Sequence, residues 1–204
     1  MKEQLISKIA LFGGNFDPPH WGHLHAMEAV LCHPGVAELW IVPSASRPDK
    51  QSIATNLQRL EMLQLLLNET FHKPKIKIED CQLSGQVRTS FTIDLIAHLK
   101  AVHPGSNFIF CIGHELVPQL PSWREGTTLI NSTSFLVIPR PGAEISCNKP
   151  NEQSEILSKN VQSLLSISST EVRESIKAAR PIDKLVPPSI SAYIKAHTIY
   201  TEQR

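Results

Sequence analysis

The sequence predicts an α/β protein: a doubly wound parallel sheet with helices on both faces. Two observations carry that prediction. Apolar runs of strand length alternate with segments of helical period along most of the chain. Each alternation is punctuated by Gly, Pro or a polar loop, as consecutive βαβ units require.

The elements follow in order. "KIALF" (Lys8 to Phe12) reads as a buried strand. "GHLHAMEAVLCH" (Gly22 to His33) reads as a helix ended by Pro34-Gly35. "ELWIVP" (Glu38 to Pro43) is a second strand, followed by the polar loop "SASRPDKQSIAT". Asn56 to Thr70 is a strong helix, with Leu57, Leu60, Leu63 and Leu67 expected on its buried face. "KIKIED" (Lys75 to Asp80) alternates like a strand. Ser90 to His103 reads as a helix capped by Ser90. "NFIFCIG" (Asn107 to Gly113) and "SFLVIP" (Ser134 to Pro139) are further strands. Residues 141–163 are polar and are expected to form a surface insertion with a helical segment. Ser169 to Ala179 and Pro188 to His197 close the chain as helices.

A length of 204 residues suits one domain over 1–204, with a core at 1–166 and a small C-terminal helical part at 167–204. A net charge of +1 provides no global attraction to a polyanion, so no nucleic-acid or membrane partner is expected. No apolar run approaches a membrane span, and "MKEQLISKIALFGG" lacks a signal-peptide pattern. The four cysteines form no CxxC pair. Three of them sit in apolar stretches and are expected in the core as reduced thiols, which points to the cytoplasm. Oligomeric state is left open.

The densest chemistry lies in "FGGNFDPPHWGHL", Phe12 to Leu24, at the end of the first strand. Gly13 and Gly14 are expected to let the chain turn and a ligand approach the backbone. Pro18 and Pro19 stiffen the segment before the helix. His20 and His23, three apart at a helix start, can face one side. A helix N-terminus attracts anions, so the pair reads as a phosphate clamp that holds and neutralises phosphoryl oxygens. Gly22 between them leaves room for a ligand. A zinc site would need further ligands that are not evident. The GxGxxG dinucleotide fingerprint is absent.

"GGNFDPPHWGHL" resembles the GGTFDPxHxGH signature of the HxGH nucleotidyltransferase superfamily. "ISSTEVR", Ile167 to Arg173, is similar to that superfamily's ISSTxIR motif. "LPSW" (Leu120 to Trp123), "SFTIDLI" (Ser90 to Ile96) and "PRPG" (Pro139 to Gly142) resemble segments of the bacterial nicotinate mononucleotide adenylyltransferases. The resemblance spans about Lys8 to Ala196. It implies a Rossmann-like fold and the joining of ATP to nicotinate mononucleotide, with release of pyrophosphate.

The resemblance also implies roles. His20, His23 and Arg173 would be catalytic. Gly13, Gly14, Asn15, Phe16, Gly113, Ile167, Ser168, Ser169 and Thr170 would bind ATP. Lys50, Thr92, Glu115, Trp123 and Arg140 would bind the mononucleotide, with Trp123 stacking on the pyridine ring. Mg²⁺ would arrive on the ATP phosphates, without a protein ligand. Arg59 reads more simply as a surface ion pair. Three departures stand out: Asn15 where Thr is common, "PDK" (Pro48 to Lys50) for PHK, and "GHE" (Gly113 to Glu115) for GAD. They fall more on the acceptor half than on the adenylyl half. They keep open another acceptor, including nicotinamide mononucleotide, or a non-catalytic nucleotide-binding relative.

Overall fold

A computed structural model describes residues 7–45, 51–70, 73–139, 149–158 and 164–201. The elements run β1 (Lys8–Gly14), α1 (Trp21–Leu31), β2 (Val36–Pro43), α2 (Asn56–Leu67), β3 (Ile76–Ile78), α3 (Thr92–Val102), β4 (Phe108–Gly113), α4 (Gly126–Ser132), β5 (Ser134–Ile138), β6 (Glu155–Ile156), α5 (Ser169–Lys177) and α6 (Pro188–Ala196). A 3-10 helix, His114–Ser122, leads from β4 towards α4.

All pairings in the sheet are parallel, and the strand order is β3-β2-β1-β4-β5-β6. The chain winds outward from β1 to β3, then returns to place β4 on the other side of β1. That reversal opens a crevice at the carboxyl ends of β1 and β4. The register puts Phe12 beside Cys111, so Gly13-Gly14 and Gly113 end the two strands at the same edge.

Two apolar layers flank the sheet. Ala10, Phe12, Leu39, Ile41 and Leu136 pack with Leu24, Met27 and Val30 of α1, Met62, Leu63 and Leu66 of α2, Val172 of α5 and Ile190 and Ile194 of α6. Leu11, Trp40, Val42, Phe110 and Val137 pack with Leu95, Ile96 and Leu99 of α3 and Leu129 of α4. Successive strand residues alternate between the layers, because side chains leave a strand on opposite faces. The double winding is therefore present on both faces.

Several expectations need correction. In α2 the buried face is Arg59, Met62, Leu63, Leu66 and Leu67, while Leu57 is 65% exposed. The helix is rotated because Thr55 and Gln58 form its capping box and Arg59 is drawn inward by carbonyls. Helix α3 starts at Thr92 with Phe91 as its N-cap, and no side chain caps it, so Ser90 does not serve. Within the presumed surface insertion, Glu155–Ile156 forms the edge strand β6 beside β5. Asn151 secures it by donating to the carbonyls of Ile130 and Thr133. Cys81 and Cys111 are buried, but Cys32 is exposed at the end of α1, so it does not pack in the core. Among the described residues no helix is long and apolar enough to cross a membrane.

Candidate nucleotide site

The turn after β1 is not made by its glycines. Both lie within the strand, and the positive φ, 52°, falls on Phe16. Gly14 serves another purpose: a Cβ there would sit 2.8 Å from the Phe16 ring. Its absence lets Phe16 fold back against the strand end, where it is 1% exposed. Gly13 faces the opposite layer, with a virtual Cβ 3.4 Å from the Phe110 ring, and it is exposed.

Phe16 supports the histidines. Its ring meets His23 edge-on at 4.9 Å between centroids, and His23 stacks on His20 at 3.6 Å. His20 is the N-cap of α1 and His23 its third residue. The His23 N–H donates to His20 Nδ1 over 3.3 Å, and the His20 N–H donates to His23 Nδ1 over 3.2 Å. This is a capping box made by two imidazoles. Both Nδ1 atoms accept, which assigns the ring protons to Nε2. Each ring therefore keeps one N–H donor for a ligand.

Burial holds both rings neutral. His20 is 4% exposed, and desolvation lowers its pKa to about 3. His23 is pushed well below 6.5, chiefly by burial and further by His20. Without an anion beside them, the two rings are neutral N–H donors. Gly22 lines the cavity, and its lack of a side chain also makes room for His20. A Cβ at Gly22 would lie 3.0 Å from His20 Nδ1 and 3.1 Å from the Leu165 carbonyl oxygen.

The second motif meets the first directly. Ser168 caps α5 by accepting the Glu171 N–H over 3.1 Å. Ser169 Oγ donates to the Pro18 carbonyl over 2.8 Å. Arg173 Nη1 donates to the Asp17 carbonyl over 2.7 Å, and its Nη2 to Thr170 Oγ1 over 3.1 Å. A guanidinium carries further N–H groups beyond these, so Arg173 can still reach an anion. The start of α5 is thus clamped opposite the start of α1.

Between them lies a cavity of about 580 Å³. Asn15, Phe16, His20, His23, Gly113, Glu115, Ile167, Ser168, Ser169, Thr170 and Arg173, all predicted site residues, line it. Phe12, Ala26, Ile138, Leu164 and Ser166 line it too and were not singled out; as apolar or small residues in ordinary element contexts they carry no signal in sequence. Gly13, Gly14, Thr92 and Trp123 are not among the lining residues. Thr92 opens α3, and Trp123 ends the 3-10 helix, partly buried against the layer of α3 and α4. They share that side of the sheet with Gly13. Lys50 and Arg140, with Asp49, lie outside the described residues. His114 turns its Nδ1 to within 3.5 Å of Glu115 Oε2.

Two buried polar residues, Asp17 and Arg59, hold the turn after β1, and sequence reasoning gave Asp17 no role. Asp17, 2% exposed, accepts the N–H groups of Ile53 and Ala54 at 2.9 and 3.0 Å and the Tyr200 hydroxyl at 2.8 Å. Burial, then Asp17, raises the Tyr200 pKa, keeping it a neutral donor. Arg59 is 0% exposed, so the expectation of a surface ion pair is wrong. Its Nη1 donates to the carbonyls of Asn15 and Ser44, both at 2.8 Å, and its Nη2 to Asn56 Oδ1 at 2.8 Å. Burial lowers the Arg59 pKa, while Asp17 and then Tyr200 oppose that shift.

Comparison with known proteins agrees with this geometry. The cytidylyltransferase-like family matches residues 11–175, which contain both motifs. The nicotinate-nucleotide adenylyltransferase of Bacillus subtilis (strain 168) is 32% identical over 197 residues, 96% of this chain and 99% of that one. A relative from Bacillus licheniformis is 33% identical over the same shares of each chain. The structure of Plasmodium falciparum nicotinic acid mononucleotide adenylyltransferase complexed with NaAD matches with a TM-score of 0.80 at 24% identity. It covers 95% of this chain and 97% of that one, and at this identity it speaks for the fold. With the imidazole pair and the SSTxxR helix facing one cavity and this relatedness running end to end, the chain belongs to the nicotinate-nucleotide adenylyltransferase family, within the cytidylyltransferase-like proteins.

Proposed function

We propose that this chain is an adenylyltransferase that joins ATP to nicotinate mononucleotide, yielding the dinucleotide and pyrophosphate in NAD biosynthesis. One observation carries the reading: two neutral imidazoles, their Nδ1 atoms occupied, offer Nε2–H donors opposite Arg173 and the start of α5. A phosphate oxygen of the mononucleotide attacks the α-phosphorus of ATP, and the bond from that phosphorus to the pyrophosphate oxygen breaks. The attacking oxygen is already anionic, so no base is required. Catalysis is then positioning and stabilisation of charge that grows on the leaving group.

In this reading His20 and His23 donate to phosphoryl oxygens, and donors already aligned cost no reorganisation as charge moves. Arg173 supplies the cation for the outer phosphates, with Ser168, Ser169 and Thr170 at the helix start. Phe16 and Ile167 form apolar wall beside the phosphates. Trp123, packed with the layer of α3 and α4, and Thr92 at the start of α3 receive the pyridine ring. Glu115, Lys50 and Arg140 belong with the acceptor. Helices α5 and α6 act as a helical part of the same domain. Among the described residues, no group of three or more His, Cys, Asp or Glu could hold a metal ion. Mg²⁺ would be carried in by the triphosphate and water, where it would offset phosphate charge. The buried thiols of Cys81 and Cys111 are consistent with a cytoplasmic protein.

His114, packed towards Glu115 beside the expected acceptor site, favours testing nicotinamide mononucleotide as a second acceptor. Pyrophosphate release is measured with ATP, Mg²⁺ and each mononucleotide. A strong preference for the nicotinate form is expected. No release with either, despite ATP binding, would refute the assignment.

A further inference from the structure

Asn15 lines the nucleotide cavity, and two side chains hold its carboxamide. Ser52 Oγ donates to its Oδ1 over 2.9 Å, and Arg59 Nη1 donates to the same oxygen over 3.2 Å. Arg59 also grips the Asn15 backbone carbonyl. Arg59 can only donate, so an acceptor must face it, and the amide is oriented with Oδ1 towards Arg59 and Ser52. Its nitrogen is turned away from both. Among the described residues no hydrogen bond engages that Nδ2. The guanidinium that sets this orientation is itself fixed, with Ser44 and Asn56 holding the rest of its fork.

We propose that Arg59 and Ser52 are positioning residues that lock the Asn15 carboxamide with its two Nδ2 N–H donors presented to a phosphoryl oxygen of the bound nucleoside triphosphate. The inference rests on the nucleotide reading of this cavity and adds a donor to the imidazole pair. An unrestrained carboxamide would present oxygen or nitrogen with similar ease, and oxygen would repel phosphate. The buried cation below removes that ambiguity.

Binding of a non-hydrolysable ATP analogue tests this without reference to the acceptor, by calorimetry on the full chain. Asn15→Asp keeps an acceptor for Ser52 and Arg59 but replaces the donor by a carboxylate oxygen. It should keep the wild-type melting temperature or exceed it, and bind the analogue at least about tenfold more weakly. Ser52→Ala should weaken binding by about threefold in the wild-type background and leave it unchanged in Asn15→Ala, where there is no amide to orient. A purely structural role for Ser52 would give equal losses in both backgrounds and overturn the proposal. So would Asn15→Asp binding within twofold of wild type. Normal analogue binding and normal variant effects, without pyrophosphate release from either mononucleotide, would refute the proposed reaction and leave this inference standing. A wild-type chain that binds no analogue refutes both.

Discussion

Acid should weaken this fold through the histidine pair, well before ordinary carboxylates titrate. An unfolded histidine takes up its proton near pH 6.5, whereas His20 in the folded chain does so only near 3. Between those values the unfolded state holds more protons, so stability falls as pH falls and is fully present only above about 6.5. For His20 alone, moving from pH 8 to pH 5 costs about 2 kcal/mol by linkage. His23 adds a loss of the same sign, because burial and then the neighbouring His20 hold its pKa low. The chain has nine histidines, so the pair must be isolated from the rest. His20→Asn does this: asparagine is a good N-cap that can accept the His23 N–H and does not titrate in this range. Urea unfolding at pH 8, 6.5 and 5, extrapolated to water, should show a steeper acid loss for wild type by about 2 kcal/mol or more. Equal pH dependence in the two proteins would show that His20 is not held neutral by burial, and the donor-clamp geometry would lose its support.

Three further outcomes are expected. His23→Ala should lower turnover by about a hundredfold or more while leaving mononucleotide binding within a fewfold, since the donor acts on developing charge; near-normal turnover in a pyrophosphate assay would remove it from the site. Trp123→Ala should raise the KM for the acceptor about tenfold with little change in the KM for ATP, through lost stacking; an unchanged acceptor KM would return Trp123 to packing against α3 and α4. Gly14→Ala places a Cβ 2.8 Å from the buried Phe16 ring, so it should cost about 1–3 kcal/mol in urea unfolding and also lower turnover through His23; wild-type stability would mean that the ring yields freely.

The sheet was legible where its strands carry a signal of their own. β1, β2, β4 and β5 are covered on both faces and read as unbroken apolar runs. β6 is two residues long and holds its place through Asn151 and Ser154, so no pattern of its own announces it. The 3-10 helix at His114–Ser122 contains Pro118 and Pro121, which read as breakers in sequence. Helix α2 was found, but its face was misread. Four leucines define a plausible stripe, yet the real orientation follows a charged residue that the hydrophobic pattern counts as outward.

The site divides the same way. His20, His23, Ser168, Ser169 and Arg173 belong to two local motifs, and such motifs can be read from spacing. Asp17 and Arg59 act on other parts of the protein, and their partners come from residues 15, 44, 53, 54, 56 and 200. No window of sequence contains that set, and a buried charge is credible only once its partners are in view. Asp17 shows what the arrangement achieves. Its carboxylate holds the segment before α2 and the C-terminal Tyr200, while its carbonyl holds Arg173. Any shift of the turn after β1 would therefore have to break contacts to three distant segments at once. The proposed phosphate site needs donors that stay in place as charge develops, and the Asp17, Arg59 and Tyr200 side chains give this turn that rigidity.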